Sequence, residues 1–255
     1  MFKLNRLLKK QFKDYLGTFV RPRNLITIPQ LVEKPSGERI VVISPHFDDD
    51  IIGCGGTLHK HVLAREKVSV IYLTDGREGD PSMSDKNAVE KLRKNEAKIA
   101  TKTIGVTDII FLDQPETRLK TTHALLKRLR DILIELKPDL LYSPSFLENN
   151  IDHLEANRIL LNLSNKFAFD MTIVAYEVWT PLVPNFIVDI TSVMPVKEKA
   201  LMQYKTQLRQ VDYAGVTLSL NRYRSAFNMK GIGYAEAFFI TSWKEYINLM
   251  KKLGI

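Results

Sequence analysis

One histidine and three consecutive aspartates, in the segment PHFDDDIIGCGG (residues 45–56), are the residues of this chain whose types and spacing could do chemistry. His46 and Asp49 lie three residues apart where the chain leaves an apolar run and bends towards a helix, so their side chains can converge on one point. Imidazole and carboxylate groups suit a divalent metal such as zinc. Asp48 and Asp49 are neighbours that point in different directions in an extended segment, so one can bind metal while the other faces a reacting centre. The alternative is an acidic surface turn with an incidental histidine, since a metal site needs a third ligand from elsewhere.

His153 is the candidate for that third ligand. It follows a proline-containing loop, residues 144–152, that comes after a predicted strand at the same edge of the sheet. His46, Asp49 and His153 would form a two-histidine, one-carboxylate site that leaves a position open for water, as a catalytic metal requires. The remaining histidines are predicted to lie at the surface late in the first helix, or have no acidic or imidazole partner nearby: His59 and His61, and His123.

The other residues of the segment are predicted to be structural. Asp50 suits the N-cap of the following helix, because its carboxylate can accept from the free amides of the first turn. The glycines allow the backbone to approach neighbouring strands or a substrate. Cys54, the single cysteine of the chain, is predicted to be a small packed residue. One cysteine forms no disulfide framework, which fits a reducing, cytosolic compartment.

Short apolar runs alternate with longer helical patterns along the middle of the chain. This alternation predicts one α/β domain with a mostly parallel, doubly wound sheet flanked by helices. Right-handed crossovers should bring residues 45–56, 74–80 and 144–152 to one edge. After Pro181 the alternation weakens, which predicts a C-terminal elaboration of the same domain. The predicted connector is 30–38, the strands are 39–44, 68–74, 108–112, 139–143, 171–177 and 186–190, and the helices are 52–65, 85–104, 121–137, 153–167 and 193–204.

The formal net charge is +8, and much of it is concentrated at the start of the chain. Residues 1–30 combine lysines and arginines with apolar side chains at helical spacing, which predicts a basic amphipathic segment. This segment can pack on the protein's own body or on a neighbouring subunit, or it can lie in the interface of an anionic membrane. No apolar stretch is long enough to span a bilayer, and no nucleic-acid motif accompanies the charge, so no nucleic-acid partner is expected.

Over residues 39–240 the chain resembles the PIG-L/LmbE-like zinc-dependent N-acetylglucosaminyl deacetylases. The family signature is a strand followed by His-Pro-Asp-Asp-Glu and a glycine cluster, and later a His-x-Asp-His element. Here the first is found at residues 46–50 with the glycines that follow, and the second at residues 150–153. The resemblance implies a Rossmann-like fold with the deacetylase domain over residues 39–245. Shorter likenesses lie at residues 74–76, 93–96, 176–181, 188–191 and 233–238.

By this resemblance, His46, Asp49 and His153 would be the metal ligands and Asp48 the general base. The implied cofactor is Zn²⁺ or another divalent metal. The implied reaction is hydrolysis that removes the N-acetyl group from an N-acetylated amino sugar or its conjugate and releases acetate. The implied partner is an N-acetylated sugar. We expect a cytoplasmic enzyme, or one held peripherally at the inner membrane face through its N-terminal segment.

The chain departs from the family pattern at Asn150, which stands where the family has the first histidine of the His-x-Asp-His element. That histidine is expected to assist the oxyanion or the leaving group. Asn150 is predicted to take the catalytic position, but its amide can donate a hydrogen bond and cannot shuttle a proton. Either it gives neutral stabilisation, or the acid comes from elsewhere, or the activity is lowered. Asp152 is predicted to orient His153 without binding the metal itself.

Two residues are predicted to bind substrate. Arg93 resembles a family arginine placed near the substrate, and the alternative is a solvated helix charge paired with Glu90 or Glu96. Glu177 could reach sugar hydroxyls from its loop, with a surface or supporting role as the alternative.

Two other functional classes remain to be weighed. A nucleotide-binding oxidoreductase would suit the fold, but residues 53–56 lack the G-x-G-x-x-G spacing, and the acidic cluster before them would repel a pyrophosphate. A non-catalytic sugar-binding or scaffold protein of the same fold is the alternative to the enzyme, because Asn150 replaces a family histidine.

Overall fold

The computed structural model describes residues 28–255. Nearly all of the predicted basic amphipathic segment, residues 1–30, lies outside the described residues, so its packing or membrane role stays a prediction. Within the described part, none of the helices is both long and apolar enough to cross a bilayer.

One eight-stranded sheet runs through the described chain. Neighbouring strands are parallel except where β8 runs antiparallel between β6 and β7. The strands are β1 (Gln30–Val32), β2 (Arg39–Ser44), β3 (Lys67–Thr74), β4 (Asp108–Gln114), β5 (Leu140–Pro144), β6 (Thr172–Tyr176), β7 (Phe186–Asp189) and β8 (Ala235–Ser242). Their order across the sheet is β1-β7-β8-β6-β5-β2-β3-β4. The helices are α1 (Asp49–Leu63), α2 (Lys86–Thr103), α3 (His123–Leu136), α4 (Ile151–Ser164), α5 (Met194–Leu201), α6 (Lys205–Leu208), α7 (Tyr213–Arg224), α8 (Ala226–Met229) and α9 (Trp243–Leu253).

The strand order reverses between β2 and β5. From β2 the chain moves outwards through β3 and β4, and it then returns to place β5 and β6 on the other side of β2. In open α/β sheets, ligands bind outside the carboxyl ends of the strands at such a reversal. The loops after β2 and β5 therefore flank one crevice, and these are the loops that carry His46 and His153.

The predicted fold class is confirmed, since a mostly parallel sheet is flanked by helices. The prediction of residues 30–38 as a connector is wrong in part, because β1 pairs with β7 at the sheet edge. A three-residue strand is too short to show a periodic pattern. The sequence also does not predict β8 or α9. Helix α9 continues past residue 245, the predicted end of the domain, and packs through Trp243 and Tyr246 into the core.

Residues 40–43 of strand β2 are all apolar because both faces of the strand are covered. Ile40 and Val42 face the core beneath α1, α2 and α5, whereas Val41 and Ile43 face the core beneath α3, α4 and α9. All four side chains are buried. A parallel strand covered on both faces needs apolar residues at every position, and this rigid strand ends at the candidate site.

A buried ion pair between Lys197 and Glu236 holds α1 against its neighbours. The Nζ atom of Lys197 donates to Glu236 Oε1 at 2.6 Å and to the Ile52 carbonyl at 2.8 Å. Glu236 also accepts from the amides of two consecutive residues of α1, the first being Gly56 at 2.8 Å. A Cβ at Gly56 would lie 2.8 Å from Ile190 Cγ2, so the close approach of α1 requires glycine there.

Candidate functional site

The structure brings His46, Asp49 and His153 together at the reversal between β2 and β5. Asp49 Oδ2 lies 3.0 Å from His46 Nδ1 and 3.0 Å from His153 Nε2. The same two imidazole nitrogens lie 3.2 Å apart. One ligand atom from each residue thus points towards a common centre, although His153 is distant from the other two in sequence.

These donors suit a divalent metal in both chemistry and spacing. Two nitrogens and one carboxylate oxygen form a typical zinc set, in which metal–ligand bonds of about 2.0–2.1 Å make the edge of a tetrahedron about 3.3 Å long. The observed separations of 3.0–3.2 Å are close to that edge. Two imidazole nitrogens that face each other also need a proton or a cation between them. The three side chains therefore fit a metal ion.

The electrostatics of the cluster favour positive charge at its centre. Burial, the largest single influence, lowers the pKa of both His46 and His153, but the charge of Asp49 together with interactions with neighbouring carboxylates outweighs it and raises the pKa of both rings. Burial would likewise raise the pKa of Asp49, yet the two imidazoles hold it well below its usual range. Asp49 therefore stays ionised between the two ring nitrogens, and its negative charge would attract a cation bound there.

Two further carboxylates lie beside the imidazole rings. Asp152 Oδ2 lies 3.1 Å from His46 Nε2 and accepts from the Thr117 amide at 2.7 Å. The prediction that Asp152 orients His153 is therefore wrong. Consecutive residues of a helix project about 100° apart, so Asp152 cannot turn back onto its neighbour's ring. Glu148 faces His153 instead, with Oε2 at 3.4 Å from Nδ1.

Asp48 lies beside the cluster in a pocket of ≈ 180 Å³. It is buried, and burial raises the pKa of its carboxyl group above the usual value while the charge of Arg93 offsets part of the rise. Asp48 and Asp49 both line the pocket, but only Asp49 belongs to the cluster with the two imidazoles. The pocket is lined by His46, Asp48, Asp49, Ile52, Glu78, Arg93, Glu116, Thr117, Asn150, Ile151, Asp152, Trp179, Gln207 and Tyr213.

Arg93 lines this pocket and is not a solvated helix charge. Its side chain is 3% exposed, and Nη1 donates to Glu116 Oε1 at 2.8 Å and to the Gly76 carbonyl at 3.0 Å. The alternative in which Arg93 pairs with Glu90 or Glu96 is contradicted, because its ionic partner is Glu116. Helix α2 turns this residue inwards against the ring of Phe47, whose centroid lies 5.6 Å from the guanidinium carbon.

Glu177 does not line the pocket, which contradicts its predicted contact with substrate. Its carboxylate is buried and accepts from Arg224, with Nε at 2.8 Å from Oε1 and Nη2 on the other oxygen. The Leu182 amide donates to Glu177 Oε2 at 2.8 Å. Both oxygens are occupied, so Glu177 shapes the loop before β7 and has no free group for a sugar hydroxyl.

Asn150 is the N-cap of α4 and lines the pocket. Its Oδ1 accepts from the Asp152 amide at 2.8 Å, which leaves the NH₂ group as its donor towards the pocket. The predicted N-cap role of Asp50 is wrong, because α1 begins at Asp49 with Asp48 at its cap, which places Asp50 within the first turn. Asp50 is buried and accepts from the Tyr72 hydroxyl at 3.0 Å.

Several residues of this site are missed by the sequence reasoning. Glu148 and Glu116 are carboxylates in the loops that follow β5 and β4. The signal that could have identified them is that both loops lie at the carboxyl edge of the sheet, where the site is. Their partners depend on the path of each loop, which no periodicity records. Tyr213 and Gln207 come from α7 and α6, in the part of the chain predicted only as an elaboration.

Comparisons with known proteins agree with this geometry. Residues 41–164, which include both motifs, match the family model PIG-L, described as GlcNAc-PI de-N-acetylase. The chain is 29% identical to diacetylchitobiose deacetylase from Thermococcus kodakarensis over 189 residues, which cover 67% of this chain and 70% of that protein. The structure of N,N'-diacetylchitobiose deacetylase from Pyrococcus horikoshii has a TM-score of 0.70 at 25% identity, covering 83% of this chain and 86% of that one. The hydratase GalB from Pseudomonas putida shares the fold, with a TM-score of 0.67 at 22% identity over 79% of this chain and 95% of that one.

Proposed function

We propose that this chain, which matches the PIG-L family of de-N-acetylases over residues 41–164, is a metal-dependent hydrolase that removes the N-acetyl group from an N-acetylated amino sugar or its conjugate and releases acetate. The observation that carries the proposal is the convergence of His46, Asp49 and His153 within 3.0–3.2 Å of one another. Asp48 lies beside them in the same pocket. Three ligands next to a free carboxylate are the arrangement that metal-assisted amide hydrolysis requires.

His46, Asp49 and His153 would hold the metal, with zinc as the cation that this donor set suits best and other divalent ions as alternatives. When bound, the ion would polarise the acetamide carbonyl and lower the pKa of a water molecule. Asp152 and Glu148 would keep the two rings aimed at the ion, because each faces the other nitrogen of one imidazole.

Asp48 is the proposed general base. Its carboxylate would take a proton from the attacking water and return it to the departing amine nitrogen. Burial raises the pKa of this carboxyl group, which brings it closer to neutral pH and suits a group that both accepts and donates a proton. Positive charge from Arg93 offsets part of that rise and so favours the ionised form of Asp48 before the reaction.

Asn150 is the proposed donor to the developing oxyanion. Because its Oδ1 is engaged by the Asp152 amide, its NH₂ group is the end available to substrate. A neutral amide can stabilise negative charge by a hydrogen bond but has no proton to transfer. The proton for the amine must then come from Asp48, which gives this carboxylate both roles in the reaction.

The test is to purify the full chain, measure its bound metal and follow acetate release from a panel of N-acetylated sugars. We expect about one divalent ion per chain, loss of activity on chelation, and recovery when zinc is returned. The Asp48→Ala variant should retain the metal and lose about 10²–10⁴-fold in turnover.

Asp170→Asn is the matched control, because this exposed carboxylate lies before β6 at the opposite edge of the sheet. It should behave like the wild type in both metal content and turnover. Metal binding without acetate release from any substrate would contradict the enzyme and support a binding protein of the same fold.

A further inference from the structure

Thr117, in the loop after β4, lines the pocket in a backbone conformation that is costly for threonine. Its φ angle is 63°, which lies in the left-handed region. Glycine adopts this region without steric cost, whereas a β-branched residue there is an outlier. Such strain persists only where the surroundings fix it, and it is concentrated at functional sites. The turn alone would therefore favour glycine at position 117.

The contacts that hold this turn act on its backbone. The Thr117 amide donates to Asp152 Oδ2 at 2.7 Å, and the Leu119 amide donates to the other oxygen of that carboxylate at 3.2 Å. One residue before Thr117, the Glu116 amide donates to Asp75 Oδ1 at 3.3 Å. Each of these donors is present whatever side chain follows the amide. The fold therefore gains nothing from them that it would lose with glycine at position 117.

The side chain of Thr117 is free and lies close to the candidate metal ligands. It is exposed, and its hydroxyl has no hydrogen-bond partner within residues 28–255. The Asp152 oxygen that accepts from the Thr117 amide lies 3.1 Å from Nε2 of His46. A single carboxylate thus separates Thr117 from a candidate metal ligand. A substrate whose acetamide reaches the metal position brings the adjoining ring atoms close to Thr117.

Arg65 shows that a left-handed residue alone does not indicate function. Its φ angle is also 63°, and its exposed side chain lies after α1, away from the pocket. A left-handed residue just past the end of a helix is common, and arginine is not branched at Cβ. Thr117 differs from Arg65 in being β-branched, in lying outside a helix end and in lining the pocket. Arg65 is therefore a matched control for the strain without the site.

We propose that Thr117 determines substrate specificity: its hydroxyl hydrogen-bonds the free hydroxyl at C3 of the amino sugar, and its methyl group excludes a larger substituent there. This rests on the proposed deacetylase function. In a 2-acetamido sugar, C3 and C1 adjoin the carbon that carries the acetamide. C1 carries the attached group in a glycoside, so C3 offers the hydroxyl that is free in both the sugar and its conjugate. A threonine hydroxyl can donate and accept, as a sugar hydroxyl can.

The size of the pocket supports the role of the methyl group. A cavity of ≈ 180 Å³ leaves little room beside one sugar ring. A methyl group in the wall of so small a site is enough to decide whether an added substituent fits, because one methylene changes selectivity by roughly 10–200-fold.

Acetate release from three probes tests this proposal: N-acetylglucosamine, its 3-deoxy analogue and its 3-O-methyl ether. Thr117→Val keeps the shape of the side chain and its branching but removes the hydroxyl. It should lower kcat/KM for N-acetylglucosamine roughly three- to tenfold and leave the 3-deoxy analogue unchanged, because that sugar has no hydroxyl to bind there. Thr117→Ser keeps the hydroxyl and should retain kcat/KM for N-acetylglucosamine within about twofold.

Thr117→Gly tests the methyl group and the strain together. It should reduce the preference for N-acetylglucosamine over the 3-O-methyl ether at least about tenfold, because it opens the wall of the pocket. It should also raise Tm by roughly 2–4 °C, because glycine relieves the strain. Arg65→Gly should raise Tm similarly and leave kcat/KM unchanged for all three probes. Every variant should keep about one metal ion per chain, since the amide at position 117 still donates to Asp152.

Three results would overturn this inference and leave the deacetylase intact. They are an equal loss in Thr117→Val for N-acetylglucosamine and its 3-deoxy analogue, an unchanged preference against the ether in Thr117→Gly, and a lower Tm of Thr117→Gly. Failure of the wild type to release acetate from any of the three probes would count against the proposed function itself.

Discussion

Two buried histidine clusters lie at opposite edges of the sheet, one near each end of α1. At the carboxyl edge, His46 lies just before α1 and Asp49 lies in its first turn. His153 reaches Asp49 from α4. At the amino edge, His61 in the last turn contacts Glu66 through Nδ1, and its Nε2 lies 2.8 Å from the Tyr142 hydroxyl. Both clusters combine imidazole with carboxylate, and composition alone does not separate them.

The difference lies in where the ring nitrogens point. In the His61 cluster, each nitrogen has its own partner, and Glu66 is also paired with Lys34. In the site, a nitrogen of His46 and a nitrogen of His153 face each other at 3.2 Å with Asp49 between them. An imidazole whose two nitrogens both have hydrogen-bond partners supports the fold. Ring nitrogens that converge on one another leave a position that a cation can fill.

The largest expected effect comes from one substitution made at each edge. His46→Ala should reduce bound metal from about one ion per chain to nearly none and remove acetate release, because two protein ligands do not hold a catalytic zinc. His61→Ala should leave the metal and the turnover intact and lower the free energy of unfolding by about 1–3 kcal/mol, since Glu66 and Tyr142 lose a partner. Metal analysis, an acetate assay and denaturant unfolding measure these outcomes.

The comparison between the clusters fails if His61→Ala loses metal, or if His46→Ala keeps it. Unfolding of both variants in the presence of a chelator separates the direct effect of each side chain from the stability that bound metal adds.

A smaller effect is expected from the carboxylates that hold the rings. Glu148→Gln should weaken metal binding by roughly 10–100-fold, because the charge that faces His153 Nδ1 is lost while the amide oxygen can still accept from the Val178 amide. Glu66→Gln, the matched change at the other edge, should leave metal affinity unchanged. Competition with a chromogenic chelator measures both, and equal affinities of Glu148→Gln and wild type would remove Glu148 from the support of the site.

The elements that present the site are predictable from sequence because their signals are local. Strand β2 is a continuous apolar run, and the placement of His153 at the same edge follows from strand–helix alternation. The sequence also predicts that His61 is at the surface, which is wrong, since its side chain is 0% exposed. A helical position two turns past the loop does not reveal that Tyr142 of β5 reaches it from the sheet.

The supporting partners are not predictable for a related reason. Whether a carboxylate faces a histidine ring, as Glu148 does, or pairs with an arginine, as Glu177 does, depends on how two loops meet after the sheet has formed. Strand β8 and helix α9 are missed because the chain returns antiparallel through the sheet after a stretch without regular alternation. Non-local pairing of this kind leaves no fixed spacing in the sequence.

A few-fold change is expected at Asn150. Asn150→His should raise turnover roughly two- to tenfold if the asparagine is a weaker form of the family's histidine. The gain should stay well below the full contribution of a general acid, because Asp48 is the proposed source of the proton. The same change should cost about 0.5–2 kcal/mol of stability, because Asn150 caps α4 through its side chain. Turnover and denaturant unfolding are measured together. Lower turnover in a folded, metal-loaded variant would mean that the site is built around the amide, and the proposed role of Asn150 would be wrong.

The smallest effect is a pH dependence that belongs to the amino-edge cluster alone. Burial lowers the pKa of His61 and outweighs the opposing charge of Glu66, so the folded protein binds a proton there less readily than the unfolded chain, whose histidines titrate near pH 6.5. Stability from a neutral His61 is therefore fully present above about pH 6.5 and is lost as the pH falls towards the lowered folded value. The difference in unfolding free energy between the wild type and His61→Ala should shrink between about pH 7.5 and 5.5. Both proteins are compared with a chelator present, so that the titration of His46 and His153 is common to them and cancels. If the unfolding free energies of the two proteins run parallel over this range of pH, His61 binds its proton equally in the folded and unfolded states. The His61 cluster would then have no part in the acid sensitivity of the fold.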